Sequence, residues 1–127
     1  MQEDVAGNTQ MKKRILIVDD STIMRKMISA TLRTAEHEVI GEAKDGLAAI
    51  EMYKDLRPDI VTMDITMRGM DGLTAASEIL AFDCHAKIIF LSNLNQADYN
   101  DKAQQIGAKG YLSKQATKEI LELIERL

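Results

Sequence analysis

The sequence predicts an α/β protein: a doubly wound parallel sheet of five strands covered by five helices. Short apolar runs alternate with longer stretches whose apolar residues recur at helical spacing, the order that parallel strands joined by crossover helices require. The 127 residues also carry no glycine- or proline-rich linker and no repeated motif, so a single domain is expected. Its span is 12–127, with a polar, flexible extension over 1–11.

Five runs rich in Ile, Val or Leu read as strands, over 14–19, 38–43, 59–63, 87–91 and 109–112. Between the first two, Ile23 and Met27, and Met24, Ile28 and Leu32, recur at helical spacing and are expected to face the sheet. Leu47, Ile50 and Tyr53 form a second stripe, and Leu73, Ala76 and Leu80 a third. The fourth helix, about 96–106, has fewer large apolar residues, whereas the last alternates Ile120, Leu121, Ile124 and Leu127 with charges. Asp45 and Thr117 are expected N-caps, and Pro58 and Gly107 fall where helices should stop.

Composition narrows the function classes. Apolar residues at 46% and charged residues at 28% allow a packed core without disulfides or structural metal. The net charge of −4, and the lack of basic runs interleaved with aromatics, argue against direct nucleic-acid binding. A single cysteine, Cys84, supplies neither an internal disulfide nor zinc-ligand spacing, which suits a cytoplasmic setting. Residues 1–10 contain no apolar segment resembling a signal peptide or a membrane span.

In an open α/β sheet, ligands bind beyond the carboxyl ends of the strands, where strand order reverses. Asp19-Asp20 follow the first expected strand, Asp64 the third, Ser92-Asn93 the fourth and Ser113-Lys114 the fifth. Crowded carboxylates stay ionised at neutral pH only with a cation among them, and an all-oxygen donor set without His or Cys favours Mg²⁺. Asp64 is then placed to attack phosphorus in line and form an acyl phosphate. Lys114, the Ser92 hydroxyl and a backbone N–H near Asn93 can neutralise charge on the equatorial oxygens.

These residues sit in longer matches: Ile15-Leu16-Ile17-Val18-Asp19-Asp20-Ser21, Gly41-Glu42-Ala43 with Asp45-Gly46, and Pro58-Asp59-Ile60-Val61-Thr62-Met63-Asp64-Ile65-Thr66-Met67. Met70-Asp71-Gly72 and Gly107-Ala108-Lys109-Gly110-Tyr111-Leu112 before Lys114 complete them. Over about 12–127 the chain resembles response regulator receiver domains of the CheY-like superfamily, in character the stand-alone chemotaxis type. The resemblance implies the flavodoxin-like strand order 2-1-3-4-5. It implies Asp64 as phosphoacceptor and Asp19, Asp20, Asp64 and the Thr66 backbone carbonyl as the Mg²⁺ site, Asp19 acting through water. Ser92, the Asn93 backbone and Lys114 would bind the phosphoryl group. The donor would be a sensor histidine kinase. Ser92 and Tyr111 would move together as a switch, reshaping the face of the fourth helix, fifth strand and fifth helix where a downstream protein docks. The protein would be a monomer or a phosphorylation-dependent dimer, and would catalyse only its own phosphorylation and dephosphorylation.

Three positions depart from the family pattern. Gln115 stands where most receivers carry proline, so a trans or strained bond is expected after Lys114, which would let Lys114 sit displaced from the crevice. Arg68 replaces a frequent proline, and Asn93 a small residue. These motivate one alternative, an atypical receiver acting as a phosphorylation-independent interaction module. Another, a haloacid-dehalogenase-like phosphatase, is opposed by Ile65-Thr66 after Asp64, which leaves no second carboxylate as general acid. Judged singly, Met24, Met27, Met52, Met63, Met67 and Met70 read as core or loop packing, Tyr111 equally as packing, and His37 and His85 as superficial.

Overall fold

The computed structural model describes residues 12–93 and 96–127, the side chains of 96–98 excepted. The expected extension over 1–11 lies outside the described residues. Five strands, β1 (Arg14–Val18), β2 (Glu38–Ala43), β3 (Ile60–Met63), β4 (Ile88–Ser92) and β5 (Gly110–Ser113), alternate with five helices. These are α1 (Thr22–Thr34), α2 (Gly46–Leu56), α3 (Gly72–Phe82), α4 (Gln96–Ile106) and α5 (Thr117–Arg126). All strand pairs are parallel, in the order β2-β1-β3-β4-β5, as expected.

The strands are apolar on both faces because helices cover both. Leu16, Val18, Val61, Met63, Ile88 and Phe90 pack with Ile50, Ala76, Ile79 and Ala103 of α2, α3 and α4. Ile15, Ile17, Ile60, Ile89 and Leu91 point the other way, onto Ile28 and Leu32 of α1 and Ile120 and Ile124 of α5. Alternation along each strand thus sorts its residues between two cores.

Some helical expectations are corrected. Ile23 and Met27 of α1 are 71% and 57% exposed, and Leu47 of α2 is 60% exposed. On α1 the buried stripe is Ile28, Ser29 and Leu32, so the row through Ile23 and Met27 turns beyond the sheet's reach. On α2 the stripe is Gly46, Ala49, Ile50 and Tyr53, one step round from Leu47. Asp45 caps α2 as predicted, its Oδ1 accepting from Ala48 N–H at 2.8 Å. Thr117 instead lies inside α5, whose cap residue is Ala116, with no side-chain hydrogen bond. Gly107, at φ +98°, follows the last residue of α4, while Arg57 at φ +49° closes α2 before Pro58.

Candidate functional site

The sheet register aligns Val18 with Met63 and Met63 with Phe90, so the residues after these strands emerge side by side at one edge. The ladder continues one step further: Asp64 N–H donates to the Val18 carbonyl at 2.9 Å, and Lys114 N–H to the Ser92 carbonyl at 3.2 Å. Asp19 N–H donates to the Ala43 carbonyl at 3.1 Å. The backbones carrying these side chains are therefore extensions of the sheet, the most rigid support available. On the far side of Asp64, Gly72 opens α3, its N–H donating to the Ile65 carbonyl at 2.7 Å. A Cβ at Gly72 would collide with the Asp64 carbonyl oxygen, so glycine is required there by close approach.

Asp19, Asp20 and Asp64 each offer a carboxylate oxygen within 4.8 Å of the other two. Asp19 and Asp64 are buried while Asp20 faces solvent, leaving the cluster open on one side. Lys114 Nζ lies 2.8 Å from Asp19 Oδ2 and 3.3 Å from Asp64 Oδ2. Asp19 Oδ1 accepts from Ser21 N–H at 2.9 Å, and Ser21 Oγ in turn caps α1 by accepting from Met24 N–H at 3.2 Å.

The electrostatics follow from this crowding. Burial pushes the Asp64 carboxyl up to about 6; Lys114 opposes the rise, and Asp19 and Asp20 add to it. Burial pulls the Lys114 ammonium down, but the Asp19 and Asp64 carboxylates outweigh it and raise the group above its ordinary value, so it remains a cation. One lysine thus leaves Asp64 short of positive charge. The all-oxygen donor set, its charge deficit and its open side fit a hard divalent cation such as Mg²⁺.

The other expected site residues are placed by the elements that carry them. Ser92 is buried at the end of β4, Asn93 is exposed beside it, and Thr66 is exposed in the loop after Asp64. Tyr111 is buried at 5% exposure; its ring stacks on Tyr99 of α4 at 6.4 Å and 6° and meets Phe90 at 6.5 Å. Lys114 is not displaced by Gln115. Every peptide bond among the described residues is trans, and the loop is braced by Ser113 Oγ, which accepts from Gln115 N–H at 3.2 Å and donates to Gln115 Oε1 at 2.8 Å.

Sequence reasoning passed over two residues and misplaced a third. Neither Tyr99, on a polar helix, nor Arg25 was singled out from the sequence. His37, expected at the surface, is buried at 6% exposure, its Nδ1 accepting from Lys13 N–H at 3.1 Å. His85 and Cys84 are exposed.

A five-stranded parallel sheet in the order β2-β1-β3-β4-β5, with an acidic, oxygen-donor crevice and a buried lysine at its carboxyl edge, defines a flavodoxin-like class of α/β domain. The chain belongs to the response regulator receiver domain family, whose model matches residues 15–125. It is 48% identical over 104 residues to the chemotaxis protein CheY of Thermotoga maritima, covering 82% of this chain and 87% of that protein. The same identity and coverage relate it to the chemotaxis protein CheY of Bacillus subtilis. Among solved structures, the CheX-CheY-BeF₃-Mg²⁺ complex of Borrelia burgdorferi matches with a TM-score of 0.83 and 34% identity, over 87% of this chain and 85% of that one. No helix among the described residues is long and apolar enough to cross a membrane.

Proposed function

We propose that this receiver domain is a cytoplasmic, chemotaxis-type signalling switch, set by Mg²⁺-dependent phosphorylation of Asp64 from a sensor histidine kinase. The observation that carries the proposal is the meeting of Asp19, Asp20 and Asp64 with Lys114 at the carboxyl edge of the sheet. Asp20, Asp64 and the Thr66 carbonyl would hold the ion, with Asp19 reaching it through water. Bound there, Mg²⁺ supplies positive charge for both the ionised acceptor and the incoming phosphoryl group.

The chemistry of the chain's own residues is then an in-line displacement. An Asp64 carboxylate oxygen forms the new O–P bond as the N–P bond of the donor phosphohistidine breaks, and the departing imidazole keeps the electron pair and takes up a proton. Lys114, already 3.3 Å from Asp64 Oδ2, is within reach of one equatorial oxygen. The Ser92 hydroxyl and the Asn93 N–H serve another. Hydrolysis of the acyl phosphate resets the switch, so the protein catalyses only its own modification and its reversal.

Output would pass through Ser92 and Tyr111 to the face formed by α4, β5 and α5, where a downstream protein docks. Tyr111, whose ring meets both Phe90 and Tyr99, links that face to the strand ending in Ser92. The Borrelia relative, solved with CheX, BeF₃ and Mg²⁺, is consistent with this.

The test is beryllofluoride with Mg²⁺, a mimic of the acyl phosphate. It should raise the melting temperature of the wild type and leave Asp64→Asn unchanged; equal shifts in both proteins, or none in the wild type, refute the proposal. Partner binding indifferent to Asp64→Ala, Mg²⁺ and phosphodonor would point instead to the phosphorylation-independent module. Steady turnover of a small phosphoester would point to the phosphatase.

A further inference from the structure

Asp20 is the exposed member of the acidic cluster, and its orientation depends on the peptide unit joining it to Asp19. Arg25, one turn into α1, reaches that unit: its Nη1 donates to the Asp19 carbonyl at 2.7 Å. The same guanidinium donates through Nε to Glu42 Oε1 at 3.2 Å and through Nη2 to Thr22 Oγ1 at 3.2 Å. Glu42 adjoins Ala43, whose carbonyl accepts from Asp19 N–H. The peptide units on both sides of Asp19 are thus held, one by β2 directly and the other by Arg25 braced against β2. The Arg25 side chain is only 15% exposed and its charge-assisted bond to the Asp19 carbonyl is partly buried, while its bonds to Glu42 and Thr22 lie at the surface.

We infer that Arg25 is a positioning residue for the cation site: it fixes the Asp19-Asp20 peptide so that the Asp20 carboxylate is aimed at the position shared with Asp64. The inference rests on the Mg²⁺ reading above and deepens it. Arg25 touches neither ion nor phosphoryl group; it acts through the Asp19 carbonyl. Its charge gives the idea a sharp sign. By Coulomb's law alone, deleting a cation near the site strengthens Mg²⁺ binding. If Arg25 instead supplies pre-organisation, deleting it weakens binding, as loss of outer partners of metal ligands commonly does.

Mg²⁺ binding to the whole chain, measured by titration calorimetry with MgCl₂ alone, decides between these. Arg25→Met should bind Mg²⁺ about tenfold more weakly than the wild type. Arg25→Lys, able to reach the Asp19 carbonyl or Glu42 but not both, should fall between them. Urea unfolding run in parallel reports any general loss of stability, which lowers the unfolding midpoint without altering the affinity of the folded protein. Should Arg25→Met not fold, Glu42→Gln removes the anionic brace and should weaken Mg²⁺ binding by about threefold. Affinity within a factor of about 1.5 of the wild type, or tighter, in Arg25→Met refutes the inference; if that variant does not fold, the same result in both Arg25→Lys and Glu42→Gln refutes it. A wild type that binds no Mg²⁺ overturns the cation reading itself, a result distinct from unchanged affinity in the variants.

Discussion

Removing the charge of Asp64 should stabilise the metal-free protein. Its carboxyl, ordinarily ionising near 4, is pushed up to about 6 by burial beside Asp19 and Asp20, with Lys114 offsetting only part of the cost. At about 1.4 kcal/mol per pH unit, keeping this carboxylate ionised at pH 7.5 costs the folded state roughly 3 kcal/mol. Asp64→Asn keeps the shape and drops the charge, so in EDTA at pH 7.5 it should unfold at a urea concentration higher by on the order of 2 M. The folded state holds the proton more tightly than the unfolded chain, so wild type and variant converge below about pH 4 and separate as pH rises through about 6. Millimolar Mg²⁺ should close most of the gap by stabilising the wild type more than the variant. An Asp64→Asn protein no more stable than wild type at pH 7.5 in EDTA would refute the claim that the acceptor sits in a charge deficit.

Other consequences follow from single contacts. Gly72→Ala should cost about 3 kcal/mol in urea unfolding, because the new Cβ meets the Asp64 carbonyl oxygen and α3 must shift. Thr62 is buried at the centre of the sheet and its Oγ1 has no hydrogen-bond partner among the described residues; Thr62→Val, close in shape, should stabilise by about 1 kcal/mol. Burial lowers the His37 imidazole below its ordinary 6.5, with Lys13 adding to this and Glu125 opposing it. Its stabilising effect is therefore present above pH 6.5 and lost as pH falls through the lowered value; His37→Asn should flatten the stability profile on the acid side, in melting curves taken from pH 5 to 8.

Much of the site was legible because strand ends are legible. An apolar run such as Ile15-Leu16-Ile17-Val18 can only be buried, so the acids that follow it must emerge at the sheet's edge, and the same logic placed Asp64, Ser92 and Lys114. Helix faces were less readable: Ile23, Met27 and Leu47 kept the right period but lay on the wrong side of their stripes, since how far a sheet covers a helix depends on neighbours distant in sequence. Lys114 met the acids despite Gln115, because hydrogen bonds between Ser113 and Gln115 brace a trans loop that sequence pattern alone does not foretell.

Local order, periodicity and the residue types at strand ends were enough to predict a five-stranded α/β domain with acids at one edge of its sheet, because burial and backbone pairing act on short segments; the receiver family was legible only through resemblance of its motifs. The 2.8 Å contact of Lys114 with Asp19, the raised Asp64 carboxyl, the buried His37 and the reach of Arg25 to the Asp19 carbonyl were settled only in three dimensions. Each depends on side chains from separate elements meeting at ångström range, where electrostatic and hydrogen-bond energies change steeply with a distance that no linear spacing contains.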